Sequence, residues 1–508
     1  MIEMRQPSPA PGNYRNPVLP MDFSDPDPLR VGEDYYLISS SFTYLPGVPI
    51  LHSRDLVHWE RIGNCVERLP YARYEAPAHG CGTWAPSLRF HNGKFYAFIP
   101  LPDEGIFFTE ATDPAGPWSE LRCIKEACGW IDPCPLWDED GQVYMAHAFA
   151  KSRCGIKHKI QVSRLDPETL QVIEDGPIVF DGTLPQPTTE GPKFYRRNGW
   201  YYIFVPAGGV QQGWQTVLRS RHVYGPYETR IVMHQGNTDI NGPHQGGWIT
   251  APDGSDWFLH FQDRDALGRV VHLQPMCWHD DWPFIGLEQN GDGIGEPVTE
   301  WEGPGGEPVG SLQVSDRFPG GIPGLQWQWQ ANPHPETWLR PAEGNGLNLT
   351  CGYAGSLWQQ PNLLSQMLPA ADFTASVRLS LADAGAGSQV GFTVLGHCYS
   401  AVELCHEPEH CTVRLLQGKV QDLSPAGQAE ETILIEKAID TDEIIVTMKV
   451  EEAKRVEYGF RTTDGLLEML GDPLPVTVAT WTGARLGLYA RGAGQGDTAR
   501  AEDLQILL

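Results

Sequence analysis

Basic residues are scarce in this chain. The sequence holds 37 Lys and Arg residues against 64 Asp and Glu residues, which gives a formal net charge of −27 at pH 7. Nucleic acids and anionic membranes are bound through basic patches. The charge therefore argues against both as partners, and the simplest explanation of the acidity is a soluble surface.

Paired cysteines are also missing. There are 11 cysteines, an odd number, and their spacing contains neither a Cys-x-x-Cys pair nor a zinc-type pattern. Scattered cysteines in a large chain are typical of free, buried thiols in a reducing compartment. We therefore expect no disulfide framework and no required cofactor.

Long hydrophobic runs do not occur. The sequence has no run of 18 apolar residues, so it predicts no membrane-spanning helix. Residues 1–12 are rich in proline and lack the apolar core of a signal peptide. These absences predict a cytoplasmic protein that acts on material already taken into the cell.

What the chain does contain is a repeat. With 508 residues it is long enough for two or more domains, and 55 glycines with 43 prolines favour a turn-rich β protein. Five times, a turn residue is followed by an aromatic residue and a short apolar strand. A unit of about 50 residues suits a four-stranded propeller blade, and five blades close into a ring without a long exposed edge. The copies lie at 34–38, 93–98, 141–145, 199–204 and 256–261.

A polar or large residue beside Pro or Gly stands at a similar distance before each copy. These residues are Asp25, Trp84, Asp132, Glu190 and His244. The first strand of every propeller blade lines the central channel, so equivalent positions on five blades converge on one axis. The sequence therefore predicts three carboxylates, a tryptophan and a histidine around that axis.

Three such carboxylates have a specific chemical use. One carboxyl group can protonate the leaving oxygen of a glycosidic bond while another, about 6.5–9.5 Å away, activates water on the opposite face of the sugar and inverts its configuration. A third raises the pKa of the acid by like-charge repulsion. Each of the three alone is more simply a turn residue, but chance is a poor explanation for three at matching offsets in a repeat.

The other two axial residues also have structural explanations. Trp84 would most often be a packing residue, yet its position makes it a candidate floor for a sugar ring. His244 would most often be a satisfied buried histidine. At the axis it could instead steady a carboxylate or hold water on a central cation.

The chain changes character after the fifth repeat. Residues 289–324 are dense in Gly and Pro, which fits a linker. Beyond them, alternating apolar and polar residues at 373–379 and 444–450 predict half-buried strands of a β-sandwich. We expect an all-β protein, with a five-bladed propeller at 1–305, a linker at 306–324 and a jelly-roll β-sandwich at 325–508.

Several short motifs of the chain, taken together, resemble family 43 glycoside hydrolases. They include Gly82-Thr83-Trp84-Ala85-Pro86, Ile131-Asp132-Pro133 and Glu190-Gly191-Pro192, and the full set lies at 16–42, 46–50, 82–86, 131–133, 190–192, 213–216 and 243–247. The segments 324–329 and 481–487 resemble the ends of the concanavalin-like sandwich that longer members carry. The resemblance covers essentially the whole chain, and it implies a five-bladed propeller and an inverting mechanism.

The resemblance also implies roles for the three carboxylates. Asp25 would be the general base, Asp132 would tune the pKa of the acid and orient it, and Glu190 would be the general acid. Asp25 is preferred to Asp27 by counting back from Arg30 in the family pattern.

Further roles follow from the same resemblance. Phe42 and Trp84 would contact the terminal sugar, and Arg269 would reach the substrate hydroxyls, with Arg264 close by in sequence. Members often carry a calcium ion near the histidine that matches His244. Such an ion, held through water, would serve structure or acid-base tuning.

Three functions are open at this point. The first is an exo-acting enzyme that releases terminal β-D-xylose from xylo-oligosaccharides. The second is an α-L-arabinofuranosidase, or a dual-specificity enzyme, on arabinoxylan fragments. The third is a non-catalytic carbohydrate-binding propeller, which would not need an acid and a base. The sequence leaves open whether the chain forms a homo-oligomer.

Overall fold

The computed structural model describes residues 12–353, 355–463, 465–492 and 496–508. Nearly all regular structure in these residues is β, in a propeller of five sheets followed by a two-sheet sandwich. The predicted all-β fold is thus confirmed. Among the described residues, no helix has both the length and the apolar character needed to cross a membrane.

Each propeller blade is one antiparallel sheet built from a continuous segment, and each of the five predicted repeat copies falls on the second strand of a blade and the turn before it. In chain order, the strands are Asp27–Val31, Asp34–Ile38, Gly47–Ser53 and Glu60–Val66 in blade 1; Ser87–His91, Lys94–Leu101, Gly105–Ala111 and Arg122–Glu126 in blade 2; Trp130–Trp137, Val143–Phe149, Lys159–Leu165, Val172–Glu174 and Ile178–Asp181 in blade 3; Lys193–Arg197, Trp200–Ala207, Trp214–Ser220 and Glu228–Met233 in blade 4; and His244–Thr250, Asp256–Asp263, Arg269–His279 and Trp282–Ile285 in blade 5.

Tight Asn-Gly turns set the first hairpin of two blades. Asn92 and Gly93 in blade 2 have φ values of 48° and 78°, and Asn198 and Gly199 in blade 4 have φ values of 51° and 71°. Positive φ at both central positions suits the two-residue turns whose twist matches that of the flanking strands, and Asn-Gly adopts it at low cost. These turns fix which residues of each hairpin face the neighbouring blade.

Irregularities in the first strands lie next to the axis. The pairing register shifts between Ile131 and Cys134 in blade 3, and between His244 and Gly247 in blade 5. Asp132, inside the first of these bulges, has a φ of 56°. A bulge of this kind re-aims a side chain that a regular strand would point elsewhere.

The ring is closed by residues near the start of the chain. Strand Asn13–Arg15 pairs with Glu300–Glu302, and Leu19 forms a two-hydrogen-bond bridge with Val271 of blade 5. The side-chain amide of Asn16 donates to the carbonyl oxygens of Leu273 and Val298, both at 2.8 Å. Blade 5 is thereby tied to the segment that leads into blade 1.

The sandwich consists of two seven-stranded antiparallel sheets. In spatial order, the strands of one sheet are Gln328–Trp329, Leu364–Met367, Arg485–Gly492, Ser388–Leu395, Cys398–His406, Cys411–Val420 and Ala429–Ile439, and those of the other are Leu339–Arg340, Leu347–Thr350, Thr498–Leu507, Phe373–Ser380, Glu443–Glu451, Arg455–Arg461 and Glu468–Pro475. Phe392 and Leu488 from one sheet share a buried core with Val377 and Val446 from the other.

The rest of the regular structure is short. Helical turns occur at Ala72–Glu75, Lys151–Cys154, Asp265–Leu267, Pro319–Gly321, Pro335–Trp338 and Leu357–Gln359. Within the predicted linker, Asp316 pairs with Leu504 and Phe318 is fully buried in the sandwich core. This part of the segment therefore packs as part of the sandwich.

The sandwich packs directly against the propeller. The backbone groups of Leu45 and Trp329 exchange hydrogen bonds of 2.9 and 2.6 Å. The ring of His79, on the propeller, stacks on the indole of Trp358 at 3.6 Å, and His79 Nε2 lies 2.7 Å from the Trp358 carbonyl oxygen. His79 precedes the segment that carries Trp84, so the interface reaches the predicted site.

Candidate active site

The three predicted carboxylates converge at one end of the propeller axis. Asp25 lies just before the first strand of blade 1, Asp132 lies within that of blade 3, and Glu190 lies just before that of blade 4. The Gly191 N–H donates to Asp132 Oδ2 at 2.8 Å, and the charges of both Glu190 and Asp25 act on Asp132. The structure therefore brings the three groups together.

Asp25 is surrounded by hydrogen-bond donors. Its Oδ2 accepts bonds from the Ser24 and Ser40 hydroxyls at 2.8 and 2.5 Å, and its Oδ1 lies 3.6 Å from Nη1 of Arg269. The residue is 4% exposed and has a φ of 56°. This turn presents the carboxylate to the axis with its orientation fixed on one side. Sequence analysis did not identify Ser24 or Ser40, although both lie in the motifs that carried the resemblance.

Asp132 is the most deeply buried of the three. Burial raises its pKa well above the usual value, and repulsion from Glu190 and Asp25 adds to the effect, while the Gly191 N–H and the charge of Lys193 oppose it. A carboxyl group in this position holds a proton more tightly than one in water.

Glu190 is paired with His244. Its Oε1 lies 2.9 Å from Nε2 of the imidazole, and its side chain keeps 23% exposure while His244 keeps 1%. Burial acts to raise the pKa of Glu190, but the bond and charge of His244, helped by Lys157 and Arg269, outweigh it and lower the pKa. The sequence predicted a raised pKa for the acid, Glu190. In the free protein the raised pKa is instead that of Asp132, because Glu190 is paired with the histidine.

The neighbouring acid, Asp27, has a different environment. It is fully buried and accepts a bond from Leu88 N at 2.7 Å, and it forms ion pairs with Arg89 at 2.8 Å and Lys193 at 3.3 Å. Lys193 also donates to the Pro86 carbonyl oxygen at 3.1 Å. Asp27 therefore links blades 1, 2 and 4 beneath the site, whereas Asp25 faces the site itself.

Arg269 reaches the site as the resemblance implied. Its Nη1 donates to the Ser24 hydroxyl at 2.7 Å, and its guanidinium carbon lies 4.9 Å from the centre of the Phe261 ring. The nearby Arg264 caps the turn Asp265–Leu267 through its backbone. Among the two, Arg269 is the arginine that contacts the residues around Asp25.

The two aromatic residues predicted to contact the sugar lie in one aromatic cluster. The rings of Phe42 and Trp84 meet edge to face at 6.2 Å, and the indole of Trp481 lies 6.0 Å from that of Trp84. Arg153, on the turn Lys151–Cys154, places its guanidinium 5.1 Å from the Trp84 ring centre. Sequence analysis missed Trp481 and Arg153. Trp481 comes from the sandwich, and no local pattern indicates that this loop reaches the propeller.

The residues around His244 bear on the predicted calcium ion. The Nδ1 atom of His244 is buried without a hydrogen-bond partner in the described part of the chain, so it could face water on a cation. However, calcium prefers six to eight oxygen ligands, and the described residues contain no cluster of three or more His, Cys, Asp or Glu side chains placed to hold a metal. The described residues therefore offer no set of protein ligands for calcium, and an ion held through water near His244 stays a prediction.

Comparison with known proteins agrees with this arrangement. The family profile described as glycosyl hydrolases family 43 matches residues 14–283, and that described as the β-xylosidase C-terminal concanavalin A-like domain matches residues 315–502. The two matches cover the propeller and the sandwich respectively.

Individual relatives are similar over most of their length. A protein of Xylanibacter ruminicola named "Putative beta-xylosidase" is 42% identical over 402 residues, which is 78% of this chain and 73% of that protein. A non-reducing end α-L-arabinofuranosidase of Bacteroides ovatus is 27% identical over 97% of this chain and 94% of its own. A solved structure of a xyloglucan PUL GH43B protein from Bacteroides ovatus superposes with a TM-score of 0.83 and 25% identity, covering 97% of this chain and all of that one (100%). The chain therefore belongs to glycosyl hydrolase family 43.

Proposed function

We propose that this glycoside hydrolase is an exo-acting, inverting enzyme that releases terminal β-D-xylose from xylo-oligosaccharides. One observation carries the proposal: Asp25, Asp132 and Glu190 meet at the axis in three different environments. A donor-rich carboxylate, a buried carboxyl group and a histidine-paired carboxyl group are the parts that a base, a tuning group and an acid require.

Asp25 is the general base in this proposal. Its contacts are donors only, from Ser24, Ser40 and Arg269, and these suit an ionised acceptor. It takes a proton from a water molecule as the water oxygen attacks the anomeric carbon. Because the donors hold one oxygen in place, the carboxylate needs no reorientation during the step.

Glu190 is the general acid and works as a unit with Asp132. Coupled carboxyl groups share protons, and their titration belongs to the pair. In the free protein the raised pKa is that of Asp132 and the lowered pKa is that of Glu190. A bound sugar covers the exposed part of Glu190, and this desolvation raises its pKa toward the value that a proton donor needs. The proton then passes from Glu190 to the leaving oxygen as the glycosidic bond breaks.

The wall formed by Trp84 and Trp481 supports exo action. Trp84 offers an aromatic face flanked by Phe42, and Trp481, which is 50% exposed, extends from the sandwich beside it. A wall from a second domain limits how much of a polymer can pass beyond the terminal sugar. We therefore expect cleavage at chain ends rather than within long chains.

An α-L-arabinofuranosidase is the second candidate. The observation in its favour is the Bacteroides ovatus relative, whose name carries that activity and whose match spans 97% of this chain. A β-D-xylopyranose and an α-L-arabinofuranose can present similar hydroxyl groups to one pocket, so a dual-specificity enzyme fits the same site.

The test compares kcat/KM for an aryl β-D-xylopyranoside and an aryl α-L-arabinofuranoside. A preference for the xyloside supports the first candidate, a preference for the arabinofuranoside supports the second, and similar values indicate dual specificity. Proton NMR during early hydrolysis of the preferred substrate shows which anomer forms first. Initial release of the anomer with the substrate's own configuration would overturn the inverting mechanism.

A further inference from the structure

A cavity separate from the active site lies where blade 1, the connecting segment and the sandwich meet. Its volume is about 220 Å³. Half of its lining is apolar, and its polar side chains include Arg61 and Gln326, each of which has a shielded atom without a hydrogen-bond partner in the described residues. The lining residues that matter below are Met21, Arg61, Leu312, Gln326 and Met367.

Arg61 lacks a counter-charge at this position. Its Nη2 donates to the side-chain oxygen of Asn64, while its Nε is shielded from solvent and has no hydrogen-bond partner in the described residues. Glu60 also lines the cavity, but its Oε1 lies 3.1 Å from His52 Nδ1. In the segments that the structure describes, no carboxylate forms an ion pair with Arg61. The residue as a whole is only half-buried, but its Nε is enclosed without an acceptor in the described part of the chain, and an enclosed donor left unpaired is costly.

The neighbouring charge that acts on Arg61, that of Arg485, is also positive. Arg485, which is 2% exposed, donates to Ser365 Oγ at 3.0 Å and Gln328 Oε1 at 2.7 Å, and it lies over the Tyr44 ring. Burial lowers the pKa of Arg61 to about 9, and the charge of Arg485 acts in the same direction. Asp22 offsets part of the Arg485 charge. The Arg61 guanidinium therefore stands beside the cavity without an ion-pair partner in the described residues.

An acceptor without a partner lines the same cavity. Gln326 Oε1 is buried and has no hydrogen-bond donor among the described residues. A ligand that neutralises Arg61 and pairs with both groups carries negative charge, accepts from Arg61 and donates to Gln326. Chloride and sulfate cannot donate, whereas hydrogen phosphate carries both oxygen acceptors and an O–H donor.

We propose that this cavity is a binding site for a small protonated oxyanion of the hydrogen-phosphate type. The oxyanion accepts hydrogen bonds from Arg61 and donates one to Gln326, and it thereby connects blade 1 to the segment that leads into the sandwich. The site is independent of the carboxylates at the axis, so its occupancy acts on the joint between the domains rather than on bond cleavage.

The test titrates inorganic phosphate into the full chain at pH 7 and follows binding by isothermal titration calorimetry. Sulfate and chloride at equal ionic strength are titrated in parallel. We expect one saturable phosphate site that weakens at least 10-fold in Arg61→Gln and remains unchanged in Arg54→Gln, a matched loss of charge on the same blade outside the cavity. Gln326→Leu is expected to abolish the preference of the site for phosphate over sulfate.

The unfolding temperature provides a second measurement that does not depend on the heat of binding. A ligand that binds only the folded state raises Tm, here by about 1–3 °C at saturating phosphate, given the size of the protein. The same rise in Arg61→Gln, or equal responses of the parent protein to phosphate, sulfate and chloride, would overturn the proposal. If Arg61→Gln is more stable and phosphate never binds, Arg61 is only a buried charge in a water-filled cavity.

Discussion

The indole ring of Trp481, on the sandwich, lies 6.0 Å from the indole ring of Trp84, on the propeller, at an interplanar angle of 63°. A Cβ atom on Gly80 of the propeller would come within 2.7 Å of the Thr480 side chain on the sandwich, so these segments are in close contact. The two domains therefore meet beside Trp84, a predicted contact of the terminal sugar.

Removing this contact should weaken the binding of oligosaccharide substrates more than it slows cleavage of the glycosidic bond. We expect Trp481→Ala to raise KM for xylotriose about 3- to 10-fold, the range that a lost aromatic contact gives, with little change in kcat for an aryl xyloside. Leu466→Ala is a suitable control, because Leu466 is a sandwich side chain with 94% exposure. Unchanged KM values in Trp481→Ala would place Trp481 outside the substrate path.

The role of Glu190 as the general acid is tested by how kcat/KM depends on the leaving group. Glu190→Gln keeps the shape of the side chain but removes the proton donor. We expect kcat/KM to fall about 10²- to 10⁴-fold for xylobiose and much less for a dinitrophenyl xyloside, whose leaving group needs no protonation. The measurement is a series of aryl xylosides of increasing leaving-group pKa. Equal losses across the series would remove Glu190 from the acid role.

Asp25 and Asp27 should give opposite phenotypes. Asp25→Asn is expected to abolish turnover of every substrate, good leaving groups included, while its Tm stays near that of the parent protein. Asp27→Asn leaves Arg89 and Lys193 without their buried partner, and breaking such a pair costs about 3–5 kcal/mol. Differential scanning calorimetry with parallel activity assays separates the two effects. A stable, inactive Asp27→Asn alongside an active Asp25→Asn would move the base to Asp27.

Loss of the Asp132 proton should lower the stability of the folded protein as the pH rises. Its folded-state pKa is raised, chiefly by burial, so the folded protein binds the proton more tightly than the unfolded chain. The stability that this proton contributes is complete below the unfolded pKa of about 4 and is lost as pH rises through the folded pKa. We expect Asp132→Asn to gain Tm relative to the parent as pH is raised from 4 toward 8. A difference that does not vary with pH would show that Asp132 does not titrate in this range.

The domain interface should weaken in acid through His79. Burial lowers the pKa of His79 to about 4, well below the 6.5 that is usual for histidine. The folded state thus binds fewer protons than the unfolded chain. The stability that neutral His79 contributes is therefore complete above pH 6.5 and is lost as pH falls toward 4, by about 3 kcal/mol in total. Urea unfolding of His79→Asn should depend less on pH across that window than unfolding of the parent. Parallel curves for the two proteins would contradict the assignment.

Much of the propeller could be predicted because its signals are local. Asn198 and Gly199 form a turn that the Asn-Gly dipeptide predicts without further context. The aromatic strand that follows it repeats in every blade. The convergence of Asp25, Asp132 and Glu190 could be predicted as well, since equal offsets in a closed ring lead to one axis. No further information was needed for either.

Other features depend on contacts that sequence does not encode locally. Asp25 and Asp27 are two residues apart in one motif, and apart from the family pattern only the positive-φ turn at Asp25 and the distant partners of Asp27 distinguish them. The pairing of Glu190 with His244 decides which carboxyl group has the raised pKa, and it joins residues from different blades. Trp481 reaches the site because two domains pack together, a relationship that no periodicity reveals.

The way the ring is closed has a consequence for synthesis. Asn16 bonds to Leu273 and Val298, and the second of these contacts spans 282 positions of the chain. Each blade can form from its own continuous segment as it leaves the ribosome, but the bonds that join the last blade to the first must wait until roughly three hundred residues have been made. Contacts of such long range are slow to form. Until then the growing chain is an open arc of blades, and Asp25 and Glu190 lack the blade 5 residues that contact them, Arg269 and His244.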